Sequence, residues 1–132
     1  MKQIETPIQV RFSDTDMLGH VNNINLQNFF EIGKCDFFVR VLGIPLNWTT
    51  EGLILKATGT TYEAQTRIGE NLVVYTQVQR LGTKSITFDQ KLHNKDTGEL
   101  KAHCVGTLVA FNFVKQETQE IPKAWREAIE RQ

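Results

Sequence analysis

The sequence predicts an α+β fold in which an antiparallel sheet wraps around one long helix. One segment, residues 25–42, is long, mostly apolar and spaced like a helix. Four strand-like runs follow it with no second long helix among them, and one alternating run precedes it. Because consecutive antiparallel strands can present one concave face, we expect the last four strands to form a meander around the helix.

The chain begins with an alternating run that predicts a half-buried strand over Ile4–Phe12. Ile8, Val10 and Phe12 fall on one side of that strand and polar residues fall on the other. Pro7 cannot donate to a strand ladder, so it indicates an edge position or the start of the strand.

The long helix is predicted over Asn25–Leu42. Its apolar positions at helical spacing are Leu26, Phe29, Phe30, Gly33, Phe37 and Val41. Ile32, Phe38 and Leu42 are expected to widen this apolar stripe, which leaves a narrow polar strip at Gln27, Glu31 and Lys34. A helix this apolar is mostly buried. Gly33 costs about 1 kcal/mol against Ala, which indicates close backbone packing. Gly43 and Pro45 are expected to end the helix.

After a loop over Ile44–Gly52, alternation and turn residues predict the remaining strands and their connections. The predicted strands are Leu53–Ala64, Leu72–Leu81, Ser85–His93 and Leu100–Phe113, joined by turns at Arg67–Asn71, Gly82–Lys84 and Asn94–Gly98. A short amphipathic helix over Pro122–Arg131 closes the chain, because Trp125 and Ile129 are four residues apart.

Length and composition indicate one soluble domain over residues 1–132. Lys+Arg and Asp+Glu are 15 each, which gives no large field to attract nucleic acid or an anionic membrane. Cys35 and Cys104 have neither metal-binding nor disulfide spacing, so we expect the reducing cytoplasm. No leader or membrane-spanning run is recognisable in the sequence.

The loop Asp14–Asn23 combines two carboxylates, a histidine and two carboxamides directly before the long helix. Unpaired N–H groups and the macrodipole at a helix start favour developing negative charge, so this is a place for chemistry on a carbonyl. Asp16 is also an ordinary turn residue by type, and Asp14 is expected to order the loop by accepting N–H bonds. The loop lacks the carboxylate cage or paired histidines of a metal site.

The segment Arg11–Asn23, RFSDTDMLGHVNN, resembles the signature of the 4-hydroxybenzoyl-CoA thioesterase family, whose members have the hotdog fold. Three later segments are similar as well, namely Arg67–Glu70, Val78–Ser85 and Ala102–Val109, so the resemblance extends over about residues 5–113. It implies a hotdog domain that hydrolyses acyl-CoA thioesters. No cofactor is implied, because CoA is part of the substrate.

The resemblance implies roles for three residues of the loop. Asp16 matches the catalytic carboxylate, as general base or nucleophile, and the backbone N–H near Asn23 polarises the thioester carbonyl. His20–Asn23 is closer to the acyl-ACP thioesterase version, in which a histidine at this place assists. Glu31 matches a helix carboxylate that some hotdog enzymes use across subunits, although an ion pair or a subunit contact is the simpler interpretation.

The turn after the third predicted strand is where relatives contact the CoA arm. It carries Arg80, Thr83, Lys84 and Ser85, and Arg67 is a further candidate. A cationic hairpin tip can equally be a solvated surface.

We therefore expect an acyl-CoA thioesterase, with two alternatives kept open. One is the same chemistry on acyl-ACP, and the other is a non-catalytic module that binds acyl thioesters. Relatives form homodimers or homotetramers with sites between subunits, and the open outer face of the sheet suits such assembly.

Overall fold

The computed structural model describes residues 3–43 and 49–131. Its elements in chain order are β1 (Ile4–Ile8), a 3-10 turn (Phe12–Asp14), α1 (Asn23–Phe37) continued by a π-helical turn (Phe38–Leu42), β2 (Glu51–Tyr62), β3 (Leu72–Leu81), β4 (Ser85–Asn94), β5 (Leu100–Asn112), β6 (Glu117–Thr118) and α2 (Lys123–Glu130). One antiparallel sheet curves around α1, which confirms the α+β prediction. No helix in these ranges is long and apolar enough to span a membrane.

The strand order in the sheet is β1-β3-β4-β5-β2, with β6 added to β5. The expected four-strand meander is therefore wrong for β2, which pairs with β5 at the far edge. The turns Gly82–Lys84 and Asn94–Gly98 are tight and keep β3, β4 and β5 adjacent, whereas residues 63–71 are long enough to cross the sheet. β1 occupies the opposite edge, as Pro7 indicated.

Strand bounds agree with the sequence prediction to within two residues for β2 to β5. The first strand is shorter than predicted, because it ends at Ile8. Phe12 lies in the 3-10 turn with 85% of its surface exposed, and so does not join the core. The physical reason is the carboxylate of Asp14, which accepts a hydrogen bond from the Arg11 amide and turns the chain.

Helix α1 starts two residues earlier than predicted, because Asn22 caps it by accepting a hydrogen bond from the Asn25 amide at 3.0 Å. The π-helical turn ends at Gly43, whose φ of 67° is the left-handed conformation that favours glycine. Pro45 and the rest of residues 44–48 lie outside the described residues.

The core forms along the buried face of α1. Towards the end of the helix, Phe37 and Phe38 contact Phe88 edge to face, with ring centroids 5.1 and 5.9 Å apart. Trp125 and Ile129 of α2 close this part of the core, which confirms the predicted amphipathic helix. Towards the start of α1, a second cluster forms around Phe29, Phe30 and their neighbours.

One position predicted for the polar strip of α1 is buried instead. The Lys34 side chain is only 4% exposed and pairs with Glu31 at 2.6 Å. Lys34 lines a cavity together with Leu53 and Leu55, because the curved sheet brings β2 alongside this part of the helix. Ile32, which was expected to widen the apolar stripe, is 48% exposed.

Gly33 allows the closest approach between α1 and the sheet, as the sequence indicated. A Cβ atom at this position would lie 2.7 Å from Val74 Cγ1 and 2.9 Å from both Gln90 Nε2 and Thr76 Oγ1. The buried Gln90 donates to the Phe30 carbonyl at 2.8 Å and to Thr76 Oγ1 at 3.0 Å. Moving its amide away from position 33 would therefore break buried hydrogen bonds.

Gly33→Ala is therefore expected to destabilise the protein, although Ala is the better helix former. We expect overpacking to lower the free energy of unfolding by about 1–3 kcal/mol, measured by urea denaturation. Asn28→Ala, on the exposed side of the same helix, is the control and should be neutral or slightly stabilising. A Gly33→Ala protein at least as stable as the wild type would contradict the close packing.

Candidate functional site

The loop before α1 is held by the buried carboxylate of Asp14. Its oxygens accept hydrogen bonds from the Arg11 amide at 2.8 Å and from Arg11 Nη2 at 2.9 Å. The Arg11 hydrogen bond holds the pKa of Asp14 below its ordinary value, so the carboxylate stays charged. The Asp14 carbonyl accepts from the Asn22 amide at 3.3 Å and from Asn25 Nδ2 at 3.1 Å. Asp14 thus ties the loop to the start of α1, the ordering role expected of it.

Asp16 lies in an exposed turn two residues further along. Its Oδ1 accepts hydrogen bonds from the amides of Leu18 and His20, at 2.8 and 3.2 Å. Its Oδ2 has no hydrogen-bond partner within residues 3–43 and 49–131. One oxygen therefore fixes the side chain in the turn, while the other is left without a partner in an exposed position. Gly19, with φ of 76°, completes the turn.

The segment after β2 pairs with this loop. The Val21 amide donates to the Thr66 carbonyl at 2.7 Å, and His20 forms an isolated antiparallel bridge with Arg67. Arg67 is thereby brought beside His20, a neighbour that its position in the sequence did not suggest. His20 is half-buried, and no partner for its imidazole is found in the described part of the chain.

The first turn of helix α1 contains backbone N–H groups without a hydrogen-bond partner among the described residues. The side chain of Asn22 satisfies the Asn25 amide, and the Asn22 carbonyl accepts from Leu26. The backbone N–H groups of Asn23 and Ile24 have no partner among the residues that the structure describes. Such groups, at the positive end of the helix dipole, suit an anionic oxygen.

A cavity of about 380 Å³ opens beside these donors, and we call it the helix-start cavity. It is lined by Val21, Asn23, Leu26, Tyr62, Glu63, Ala64, Gln65 and Thr66. Among the predicted catalytic residues, Asn23 lines the cavity directly, whereas Asp16 and His20 lie in the neighbouring turn. Thr66 is buried, and its hydroxyl has no hydrogen-bond partner among the described atoms.

The wall of the helix-start cavity is fixed by Lys101 of β5, which the sequence analysis missed. Its Nζ donates to the Gln65 carbonyl at 2.8 Å and contacts carboxylate oxygens of Glu70 and Glu99 at 2.9 and 2.6 Å. Its own carbonyl accepts from the amides of Glu63 and Ala64. The alternation of β5 gave no sign that this lysine is 95% buried, because the partners come from a separate segment.

The ion pair between Lys101 and Glu70 shifts the pKa of each group in the direction that favours its charged form. Burial alone would raise the pKa of Glu70, but hydrogen bonds from Lys101 and Asn94 outweigh it and hold that pKa below its ordinary value. Burial alone would lower the pKa of Lys101, and its bonds to Glu99 and Glu70 raise it overall. Both groups therefore remain ionised at neutral pH.

The residues predicted to bind CoA do not form one cluster. Lys84 and Ser85 line a second cavity of about 530 Å³, which we call the lysine cavity because Lys56 of β2 also lines it. Arg80 is exposed on β3, and the carbonyl of Thr83 accepts from the Ile121 amide, which anchors the turn. Lys56 was missed, since nothing in the strand pattern of β2 distinguished it.

The lysine cavity lies beside the middle of β2, at residues 54–56, whereas the helix-start cavity lies at the end of the strand, at Tyr62. Tyr62 is six positions beyond Lys56, a distance of about 20 Å along an extended strand. A single protomer therefore presents them as two separate sites.

A third cavity, of about 250 Å³, lies between α1 and β2, and we call it the rear cavity. It is lined by Glu31, Lys34, Cys35, Phe38, Leu53, Leu55 and Leu108. The carboxylate of Glu31 is engaged in its ion pair with Lys34, which supports the simpler interpretation of this residue.

Comparisons with known proteins agree with this architecture. Residues 10–129 match the family model described as Thioesterase-like superfamily. The uncharacterized protein YsmA of Bacillus subtilis is 30% identical over 80 residues, which cover 61% of this chain and only 54% of that protein. A predicted thioesterase from Bacillus stearothermophilus is 26% identical with a TM-score of 0.87, over 98% of this chain and 96% of that one. This likeness confirms the hotdog fold.

A structural neighbour has been solved with a ligand. It is a Staphylococcus aureus protein in complex with CoA, 15% identical to this chain, with a TM-score of 0.86 over 98% of this chain and 83% of that one. At this identity the likeness concerns the fold alone.

Glu70→Gln tests whether the ion pair with Lys101 stabilises the fold. Because the pKa of Glu70 is depressed, its contribution is present above the ordinary value of 4.5 and lost as the pH falls through the folded-state pKa. At neutral pH we expect the free energy of unfolding to fall by about 3 kcal/mol, and the difference from wild type to shrink in acid.

The measurement is urea denaturation across the acid range, with Glu117→Gln on the exposed strand β6 as the control. A Glu70→Gln deficit that stays constant as the pH falls would mean that the charge of Glu70 is not what stabilises the segment.

Proposed function

Because this chain belongs to the thioesterase-like superfamily, we propose that it is an acyl-CoA thioesterase, which converts an acyl-CoA and water to a carboxylic acid and CoA. The observation that carries the proposal is the free oxygen of Asp16 in the turn that leads into the unpaired amides of α1. A carboxylate and fixed N–H donors are the two groups that thioester hydrolysis requires.

The first step of the proposed reaction is attack on the thioester carbonyl. As a general base, Asp16 Oδ2 takes a proton from water while the water oxygen bonds to the carbonyl carbon. As a nucleophile, the same oxygen bonds to that carbon and forms a mixed anhydride, which water then cleaves. Both routes use the same atom of Asp16 and place negative charge on the carbonyl oxygen.

The developing oxyanion is stabilised by the helix start. We assign this role to the backbone N–H of Asn23, because Asn23 is the predicted catalytic residue that lines the helix-start cavity. One such donor is commonly worth about 3 kcal/mol in the transition state. The carbon–sulfur bond then breaks, and the thiolate leaves without a strong general acid because it is a weak base. His20, next to Arg67, orients the attacking water or the carboxylate.

The lysine cavity is the proposed binding site for the phosphates of CoA, because Lys56 and Lys84 line it with positive charge. Lys84 and Ser85 were predicted to contact CoA from the sequence, and Lys56 was not. Because the lysine cavity is far from Asn23 within one protomer, we propose that the complete site forms between two protomers. β2 is an edge strand with exposed Ile54, Leu55 and Tyr62, which suits pairing with a second copy. Antiparallel pairing about a two-fold axis near Gly59 brings the lysine cavity of one protomer beside the helix-start cavity of its partner.

The carrier and the compartment are part of the proposal. The Staphylococcus aureus complex supports CoA as a ligand of this fold. The His20–Asn23 motif favours acyl-ACP as the alternative, and the two are separated by rates on matched acyl-CoA and acyl-ACP. Two free thiols, Cys35 and Cys104, suit the reducing cytoplasm. A homodimer, which two copies can extend to a homotetramer, is the proposed assembly.

Asp16→Asn tests the catalytic assignment with little change in structure. An amide oxygen still accepts the bonds from Leu18 and His20, so the turn is retained while the charge and basicity are lost. We expect kcat on a panel of acyl-CoAs to fall at least about a hundredfold, with circular dichroism unchanged. Asp96→Asn, in the exposed β4–β5 turn, is the control and should keep full activity. Near-normal turnover by Asp16→Asn would rule out the assignment.

The double variant Lys56→Gln, Lys84→Gln tests the CoA site. We expect KM for acyl-CoA to rise about tenfold at low ionic strength and kcat to stay nearly constant, because the phosphates bind remotely from the reacting bond. The effect should fade with salt and be absent for an acyl-pantetheine, which lacks the nucleotide phosphates. Lys115→Gln in the exposed turn after β5 is the control. An equal rise in KM for both substrates would place the phosphates elsewhere.

A further inference from the structure

Helix α1 and strand β2 run alongside each other in opposite directions, with a groove between them. Leu26 and Tyr62 meet in the helix-start cavity, at the beginning of the helix and the end of the strand. Phe38 and Leu53 meet in the rear cavity, at the other end of both elements. The two cavities are therefore successive parts of one groove.

A side-chain bridge divides this groove. Gln27 Nε2 donates to Thr60 Oγ1 at 2.5 Å and to the Tyr62 hydroxyl at 3.1 Å, which links α1 to β2. Gln27 lies about 6 Å along the helix from Asn23, and Glu31 of the rear cavity lies about 6 Å further on. The bridge thus stands one helical turn beyond the proposed oxyanion donor and one turn before the rear cavity.

We propose that Gln27 determines the length of the acyl group that the enzyme accepts, by closing the groove between the helix-start cavity and the rear cavity. The inference rests on the proposed function, because it takes the acyl part of a thioester held at Asn23 as the occupant of the groove. Short or compact acyl groups fit in front of the bridge. A longer straight chain has to displace it.

The chemistry of the bridge makes displacement by a hydrocarbon chain costly. A methylene chain that passes between α1 and β2 breaks both hydrogen bonds of the Gln27 amide and offers no partner in return. The Gln27–Thr60 hydrogen bond is partly buried, and a site that holds polar groups in hydrogen bonds discriminates against an occupant that leaves them unpaired. An apolar side chain at position 27 would impose only a steric limit, which a flexible groove relaxes more easily.

Space for a longer chain exists behind the bridge. The rear cavity has a volume of about 250 Å³, and Cys35, Phe38 and three leucines form most of its lining. Removal of the bridge is therefore expected to join the two cavities into one channel of largely apolar character beyond Thr60.

The test is the chain-length profile of kcat/KM on straight-chain acyl-CoAs from acetyl-CoA to palmitoyl-CoA. The wild type should prefer the short members. Gln27→Ala should raise the ratio of kcat/KM for long chains over short chains by about tenfold or more. Thr60→Val keeps the shape of the strand but removes one acceptor of the bridge, and it should shift the ratio in the same direction by less.

Asn28→Ala, the adjacent residue on the exposed side of α1, is the matched control and should leave the profile unchanged. A Gln27→Ala profile identical to wild type, or an equal loss on all chain lengths, would overturn the inference while leaving thioesterase activity established. A wild type that prefers long chains would overturn it as well. A wild type inert on every thioester would instead overturn the proposed function, and the inference with it.

Discussion

A helix with one buried face still leaves its first amide groups without intrahelical partners, and the proposed chemistry depends on where those groups are exposed. The buried face of α1 begins at Leu26, so the first residues of the helix, from Asn23, lie outside the part that the sheet covers. There the side chain of Asn22 caps the Asn25 amide, and Asn23, whose own N–H is unpaired among the described residues, lines a cavity. The proposed chemistry uses donors that the fold itself cannot satisfy.

Two ionic contacts, each with one buried partner, hold the segments on either side of that opening. On one side the Asp14–Arg11 pair fixes the loop that carries Asp16. On the other side Lys101 binds Glu70 and the Gln65 carbonyl, which fixes the segment after β2. Removing Arg11 or Glu70 would leave the buried group opposite it with fewer partners, so both contacts stabilise the observed positions of the two loops.

Much of the fold could be predicted because local patterns and the tertiary structure agree. The spacing of α1, the close approach at Gly33 and the hairpin glycines each leave a local signature, and the structure has all of them. The position of β2 could not be predicted, because no local signal tells whether a strand pairs with the next one or crosses the sheet. The burial of Lys34 depends on β2 and was missed for the same reason.

The candidate site was predictable where its residues are contiguous and not where they converge from distant segments. Asp16, His20 and Asn23 share one loop, so their proximity follows from the sequence, and their catalytic roles remain predictions. Lys56, Lys101 and Gln27 gain their neighbours only from folding: Gln27 meets Thr60, which is 33 residues away. Of the residues predicted to contact CoA, Lys84 and Ser85 line a cavity together, and Arg67 lies instead beside His20.

The central claim is that the reacting carbonyl is held between the free oxygen of Asp16 and the first amides of α1. A crystal structure with a non-hydrolysable acyl-CoA analogue, in which a methylene ketone replaces the thioester, tests it most directly. The account predicts the ketone oxygen at about 2.7–3.1 Å from the Asn23 nitrogen, with Asp16 Oδ2 facing the carbonyl carbon. An analogue whose ketone lies away from the start of α1, with Asp16 facing solvent, would contradict it.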